Sequence, residues 1–361
     1  MRVLVINSYA GSLVIAASNL RADIIGSYED VGFGLPIQQA NFPYLNFIAE
    51  QRHWPAQDLS DTFVIAHPPC SAFSTLNTSK TARGTDSKAF SCTKKVLDYA
   101  LGNKAVGLAV ESVPGALSGA WWIHQKAAER YGYHVYRILQ TGAMFSAQWR
   151  DRFWVVFIKK GVARPNLELT LSPRWRTVAQ VVQGTEDGPT YDSLDRQLVA
   201  LKRRFTEDAG CTESEMSRIF DPQDPPHPTC GVNDIFWKMK FPEEDRWETC
   251  KKFVGTFSCG QMVFLDPNGL APTLLGGSWW YLNGRNLSQA AYKRIAGFPD
   301  SYVFPSWPRN FEGQARMYMS KGVIPAVAEW VLGQSLQHIG HTPPKLFIYE
   351  CGCAFRAVKM K

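Results

Sequence analysis

The stretch Thr62-Phe63-Val64-Ile65-Ala66-His67-Pro68-Pro69-Cys70-Ser71-Ala72-Phe73-Ser74 decides how the rest of the chain is read. Its first five residues form a short apolar run of strand character, and two prolines then forbid its continuation. The proline pair fixes a rigid turn that holds the next side chain, Cys70, in place. In open α/β sheets, ligands gather at the carboxyl ends of strands, which is where this turn lies.

Similar runs stand on both sides. Arg2–Ile6, Ala22–Ser27, Val106–Glu111, Tyr133–Leu139 and Phe153–Ile158 read as strands, and Ser91–Leu101 and Trp121–Tyr131 between them have helical periodicity. That alternation predicts an α/β core, a mostly parallel, doubly wound sheet with helices on both faces. After Lys160 the chain becomes proline-rich and holds Cys211, Cys230, Cys250 and Cys259. Its clearest regular feature is the helical stripe Leu194, Leu198, Leu201 and Phe205. Regular patterning returns at Ala271, with Ser288–Ala296 and Val323–Leu336 reading as helices. The expected organisation is a core over residues 1–160, a smaller inserted domain over 161–270, a return to the core over 271–340, and a tail over 341–361.

Composition sets outer limits. With 361 residues there is room for a catalytic core and one smaller domain. Apolar residues make up 45% and charged residues 20%, which excludes a disordered chain. The formal charge of +7 is compatible with a polyanionic partner without requiring one. No run approaches the roughly 20 apolar residues of a membrane span, so no membrane partner is expected. The apolar opening Met1–Ala17 is interrupted by Asn7, Ser8, Gly11 and Ser12, and its start, Arg2–Ile6, reads as a buried first strand rather than part of a signal peptide. Eight cysteines at irregular spacings argue against a disulfide framework and for a reducing, cytoplasmic setting.

Three strings carry chemistry. Pro68-Pro69-Cys70 presents a thiol, the side chain best suited to add to an electron-poor ring carbon; the alternative is a structural cysteine after a proline turn. Glu111-Ser112-Val113-Pro114-Gly115 places a carboxyl group at a strand end, where it can hold or protonate a base edge, or simply be solvated. Gln148-Trp149-Arg150-Asp151-Arg152 puts two arginines on one side of a strand edge, suited to an anion or to a plain charged surface.

In this order the three strings resemble the DNA cytosine-5 methyltransferases. Ala271-Pro272-Thr273-Leu274, Arg285-x-Leu287 and Arg294-x-x-Gly297-Phe298-Pro299-Asp300-Ser301-Tyr302 are similar to later motifs of that family. The resemblance covers residues 1 to about 160 and 270–338. It implies a Rossmann-like class I methyltransferase core, dependent on S-adenosylmethionine (SAM) and interrupted by a target-recognition domain. It implies Cys70 as the nucleophile on cytosine C6, Glu111 as the group that binds and protonates N3, and Arg150 and Arg152 as supports. Tyr9, Gly11, Glu29, Pro69, Lys321 and Val323 match the cofactor pocket, and Ser74, Lys80, Arg83 and Gln148 match positions near DNA, Gln148 in a structural place. Ser74–Ala89 corresponds to a loop that closes over a flipped base. The implied partner is double-stranded DNA, the chain acting as a monomer with no metal.

Two departures touch the donor site. The family's first motif is rich in glycine; here it reads Asn7-Ser8-Tyr9-Ala10-Gly11-Ser12-Leu13-Val14, so Leu13 and Val14 suggest a reshaped pocket. Where the family has asparagine near the sulfonium, this chain has Lys321. An ammonium about 4 Å from a sulfonium is repelled by about 4 kcal/mol at an effective dielectric near 20. A donor carrying a carboxylate, carboxy-S-adenosylmethionine, reverses that sign and yields 5-carboxymethylcytosine; ordinary methyl transfer with Lys321 in solvent is the alternative. The rival functions are a tRNA cytosine-5 methyltransferase of the same fold and a catalytically dead DNA-binding relative.

Weaker signals lie in the insert. His227-x-x-Cys230 has ligand spacing, yet the other intervals do not suit a zinc ribbon. Arg174-Trp175-Arg176, Lys202-Arg203-Arg204-Phe205 and Arg246-Trp247 mix bases with aromatics and suit nucleic acid or a solvated face equally.

Overall fold

The structure, a computed structural model, describes residues 1–29, 34–74, 83–162, 176–185, 262–265, 267–274, 279–282, 285–304 and 311–341. Most of the expected recognition segment, the helical stripe Leu194–Phe205, the insert's cysteines, Lys80 and the tail lie outside the described residues.

The core is a seven-stranded sheet. Its strands are β1 (Arg2–Ile6), β2 (Asp23–Tyr28), β3 (Phe47–Ile48), β4 (Thr62–Ala66), β5 (Gly107–Ser112), β6 (Tyr133–Thr141) and β7 (Asp151–Lys159), in the order β3-β2-β1-β4-β5-β7-β6. Strands β1 to β5 run parallel, and β7 is antiparallel to both neighbours. The doubly wound expectation therefore holds, with β7 reversed because it follows β6 through a short turn instead of a crossover helix. The middle strands are buried along their length, as strands covered on both faces must be.

One face is covered by α1 (Ser12–Asn19), whose Leu13, Val14 and Ala17 join Val3, Val5 and Ile65 in a cluster. The opposite face is covered by α3 (Lys88–Gly102) and α4 (Gly115–Tyr131), both longer than their sequence patterns suggested; α2 (Leu35–Asn41) follows β2. Helix α1 was not legible as a helix: Ser12–Ala17 are all buried, so no polar face produces a 3.6-residue alternation.

Within the expected insert, α5 (Val178–Val182) starts with a capping box between Thr177 and Gln180. Strands β8 (Met262–Leu265), β9 (Trp279–Leu282) and β10 (Arg285–Asn286) form a small sheet. The ring of Trp280 stacks on Tyr292 of α6 (Gln289–Ile295) at 5.3 Å, which joins that sheet to the returning chain. Helices α7 (Phe311–Lys321) and α8 (Pro325–His338) follow. Helix α8 starts two residues later than its pattern indicated because Pro325 belongs at the first helical position. It lies against α1, and Val327, Val331 and Leu332 complete the core on that face.

Candidate active site

The register of the sheet brings the three motif strings together. Ala66 of β4 pairs with Val110 of β5, so the next residues on each strand, His67 and Glu111, are neighbours. Glu111 in turn lies opposite Trp154 of the antiparallel β7, near the start of that strand, where Arg152 stands. The outcome is a buried charge cluster. His67 Nε2 is 2.9 Å from Glu111 Oε2, and Arg152 Nε is 2.6 Å from Glu111 Oε1. Glu111 is fully buried and His67 nearly so, with Arg152 12% exposed at the edge.

The electrostatics follow from this packing. Burial favours the neutral form of Glu111, but His67 and then Arg152 and Arg150 outweigh it and hold the carboxyl below its ordinary value. Burial likewise opposes a charge on His67, yet Glu111 and the Cys70 thiol raise its pKa to about 9. Cys70 is mostly buried, which disfavours a thiolate, and Glu111 acts in the same direction. The hydrogen-bonding contact with His67, helped by the charges of His67 and Arg152, overrides both, so the thiol is drawn below its usual value. The thiol, imidazole, carboxylate and guanidinium thus act on one another in sequence.

The turn that carries Cys70 is braced from α4. Phe73 N–H donates to the Cys70 carbonyl, and the Phe73 ring lies against Gly119 so closely that a Cβ there stands 2.4 Å from it. A β-carbon on Gly115 similarly meets the Phe73 carbonyl at 2.5 Å. The two glycines, one helical turn apart, are what lets the turn dock. The loop that follows is closed at its base by Gly84 N–H donating to the Ala72 carbonyl at 2.9 Å. Ser74 is half-buried and Arg83 exposed at its two ends.

Arg150 is buried and interacts electrostatically with Arg152, Glu111 and Cys70 of this cluster. Its guanidinium donates to the carbonyls of Ser320 and Gly322, each at 2.6 Å, and of Leu274 at 3.5 Å. Burial pulls its pKa to about 9, and the three carbonyls, all acceptors, favour the charged form with its full set of donors. Gln148 is buried and forms a backbone bridge with Ala271, where the chain re-enters the core.

The expected donor pocket lies at the ends of β1 and β2. After β1 the chain turns through Asn7 and Tyr9, both with positive φ, to Gly11 at φ 84 before α1. The Gly11 conformation and the approach of the Tyr302 hydroxyl, 2.2 Å from any β-carbon built there, both demand glycine. Tyr302 donates to the Ala10 carbonyl, and Gln38 of α2 donates to the Tyr9 carbonyl at 3.0 Å and to Glu29 Oε1 at 2.6 Å. Glu29 is buried at the tip of β2, and that burial, against the pull of Gln38, pushes its carboxyl up to about 8. Tyr9 meets His67 edge to face at 5.1 Å, so this turn touches the charge cluster directly. Pro69 is half-buried beside it.

Leu13 and Val14 do not line this turn. They point into the core from α1, so the departure from a glycine-rich loop is absorbed by packing. Val323 is buried in the same cluster, whereas Lys321, the last residue of α7, is exposed. Between them Gly322 lies against Ser12, within 2.8 Å of a would-be β-carbon. His67, Gln38 and Tyr302 have no role assigned from sequence; His67 carried a signal as the titratable residue nearest Cys70 at the strand end, and Tyr302 as the last residue of a quoted motif, whereas Gln38 carried none.

Among the described residues no group of three or more His, Cys, Asp or Glu side chains is placed to hold a metal, and no helix is long and apolar enough to cross a membrane. No family model matches the chain, and no curated protein matches its sequence. Solved structures do share its fold. A candidate DNA modification methyltransferase encoded within an E. coli prophage superposes with a TM-score of 0.60 at 17% identity, over 94% of this chain and 99% of that one. The Dnmt2 methyltransferase of S. pombe gives 0.55 at 13% identity over 94% and 100%. The Entamoeba histolytica methyltransferase EhMeth gives 0.58 at 12% identity over 94% and 99%. The chain has the Rossmann-like fold of the SAM-dependent methyltransferases.

Proposed function

We propose that the protein transfers a one-carbon group from a sulfonium donor to C5 of cytosine in DNA. The observation that carries this reading is the convergence of Cys70, His67, Glu111 and Arg152 at strand ends next to the Asn7–Gly11 turn. Cytosine C5 is a poor nucleophile until something adds to C6; a half-buried thiol with a lowered pKa is suited to that addition. Glu111 meets the N3 edge of a base drawn out of the stack, and Arg152 fixes the carboxyl group's orientation. Arg150 supports the site by holding the segment around Gly322. By the same resemblance, the stretch Ser74–Ala89 closes over the base, with Ser74 and Arg83 beside the backbone.

The residues around Glu29 fit an adenosyl donor. A buried carboxyl group at the tip of the second strand, braced by Gln38, is an acceptor for a ribose diol, and a turn of left-handed residues leads into α1. When bound, the donor supplies an electrophilic carbon on sulfur. Residues 161–270 are the recognition segment, and their exchange with a relative's is expected to move the modified sequence.

A duplex containing 5-fluorocytosine tests the reading, because fluorine cannot leave C5 as a proton does. Incubation with donor is expected to give a denaturation-resistant adduct, absent in Cys70→Ser, while Cys70→Ser still binds DNA. A parallel incubation with tRNA distinguishes the rival substrate. No adduct with either nucleic acid overturns the covalent mechanism.

A further inference from the structure

The charge cluster contains more than a nucleophile and an acid. Glu111 is fully buried, its two oxygens are engaged by His67 and Arg152, and both partners hold it ionised. A carboxylate in that state has no proton to give to a base. The thiol of Cys70 has the converse problem, since it must lose a proton before it attacks. His67 lies between the two. Its Nε2 is 2.9 Å from Glu111 Oε2, its Nδ1 is buried without a hydrogen-bond partner among the described residues, and Cys70, three residues on in the same turn, is coupled to it electrostatically.

The geometry points to His67 as a catalytic residue that takes the proton of the Cys70 thiol in the free protein and passes it to Glu111 as Cys70 attacks, a role that rests on the cytosine reading above. Protons and electrons balance through the cycle. The thiol proton moves to His67, leaving thiolate and imidazolium. The sulfur lone pair then forms the S–C6 bond while the C5–C6 π pair moves into the ring. His67 passes that one proton to the Glu111 carboxylate, which delivers it to N3, so that Glu111 ends ionised and His67 neutral. After C5 has displaced the donor's carbon from sulfur, the C5 proton leaves to a base and the S–C6 pair returns to Cys70. The N3 proton travels back through Glu111 to His67, restoring the starting pair.

The surroundings of His67 favour that cation. Glu111 faces it from β5, Cys70 from the turn after β4, and Glu29 from the tip of β2 contributes a further attraction when ionised. Arg152 from β7 opposes it but is spent on the other oxygen of Glu111. Tyr9 presents an aromatic ring without charge. Burial alone works against the cation, and with the partners present the imidazole's pKa stands near 9. A histidine serving only to fill and satisfy the core has no reason to control when Cys70 ionises.

Alkylation by iodoacetamide across pH 5–10, read at Cys70 by mass spectrometry, separates the two roles without any substrate. The wild type is expected to react with an inflection below the ordinary thiol value of about 8.5. In His67→Gln the inflection moves up into the ordinary range, and low-pH alkylation slows roughly tenfold for each unit of that rise. Added imidazole partly restores the rate in His67→Ala. Formation of the fluorocytosine adduct by His67→Gln falls by roughly 10²–10⁴-fold with DNA affinity kept. An unchanged inflection, or an unchanged trapping rate, overturns the proposal. Should the variants not fold, nitrogen NMR of the wild type decides: both ring nitrogens of His67 carry protons at pH 8, and a neutral ring there overturns it. A shifted inflection with no adduct on DNA or tRNA leaves the His67–Cys70 pair standing and overturns the cytosine reading instead.

Discussion

Arg150 donates a 2.6 Å hydrogen bond to the carbonyl of Gly322, 172 residues further along the chain, and another of equal length to Ser320. One buried guanidinium thereby ties the start of β7 to the link between α7 and α8. The link, in turn, presses Gly322 onto Ser12 at the start of α1.

Replacing Arg150 with Met is expected to destabilise the fold by about 3 kcal/mol or more, because each buried carbonyl left unpaired costs about 1–3 kcal/mol. Arg150→Lys recovers only part of this, since a compact ammonium cannot reproduce the planar fork. The midpoint of urea unfolding measures both. A wild-type midpoint in Arg150→Met refutes the bracing role.

Glu29 yields a prediction with opposite signs for stability and affinity. Its folded value of about 8 lies above the unfolded 4.5, so its contribution is complete at low pH and is lost as pH rises from 4.5 through 8. Glu29→Gln keeps the shape without the ionisation. The variant should therefore unfold at higher urea than wild type at pH 8.5, with the gap closing at pH 5. Its affinity for SAM, read by calorimetry, should fall roughly 10- to 150-fold through loss of a charge-assisted bond worth about 1.5–3 kcal/mol. Parallel changes in the two quantities contradict the assignment.

His124 of α4 makes the fold acid-sensitive. Burial alone lowers its pKa to about 4, so the unfolded chain binds a proton between pH 6.5 and 4 that the folded chain refuses. Stability is expected to fall through that window by on the order of 3 kcal/mol. His124→Leu removes the loss, so its advantage in thermal midpoint over wild type should widen from pH 7 to pH 5. A constant difference across that range assigns the acid sensitivity to other groups.

How much of this was legible beforehand depended on whether a residue's neighbours were near in sequence. The strands, the order of Cys70, Glu111 and the arginine pair, and the exchange of helix and strand were all local patterns. Helix α1 was hidden because its first six residues are all buried, and the reversal of β7 because strand direction leaves no mark on composition. Within the site, Cys70 and Glu111 were readable from their strings. The place of His67 depends on the pairing of β4 with β5, which no spacing reveals. Leu13 and Val14 misled for the same reason: a motif alignment placed them in a turn, whereas packing put them in the core.

The exposed position of Lys321 changes the expected donor discrimination. Between charges 4 Å apart in water the interaction is about 1 kcal/mol, against about 4 at an effective dielectric of 20. With SAM and carboxy-S-adenosylmethionine in competition, Lys321→Asn should shift the ratio of methyl- to carboxymethylcytosine by only about fivefold. A shift of a hundredfold or more, read by nucleoside mass spectrometry, places the ammonium against the donor and favours the carboxylated one.

The packing of α8 on α1 also dictates what a ribosome must wait for. Strands β1, β4 and β5 and helix α1 leave the exit tunnel early, but Val327, Val331 and Leu332, which cover that face, follow more than 160 residues after β7 begins. At about 5–20 residues per second the nascent chain carries an uncovered apolar face for roughly 10–35 s. Slow translation and early termination should thus be more hazardous to this protein than to one whose core closes in sequence order, and chaperone occupancy during synthesis should peak before α8 emerges.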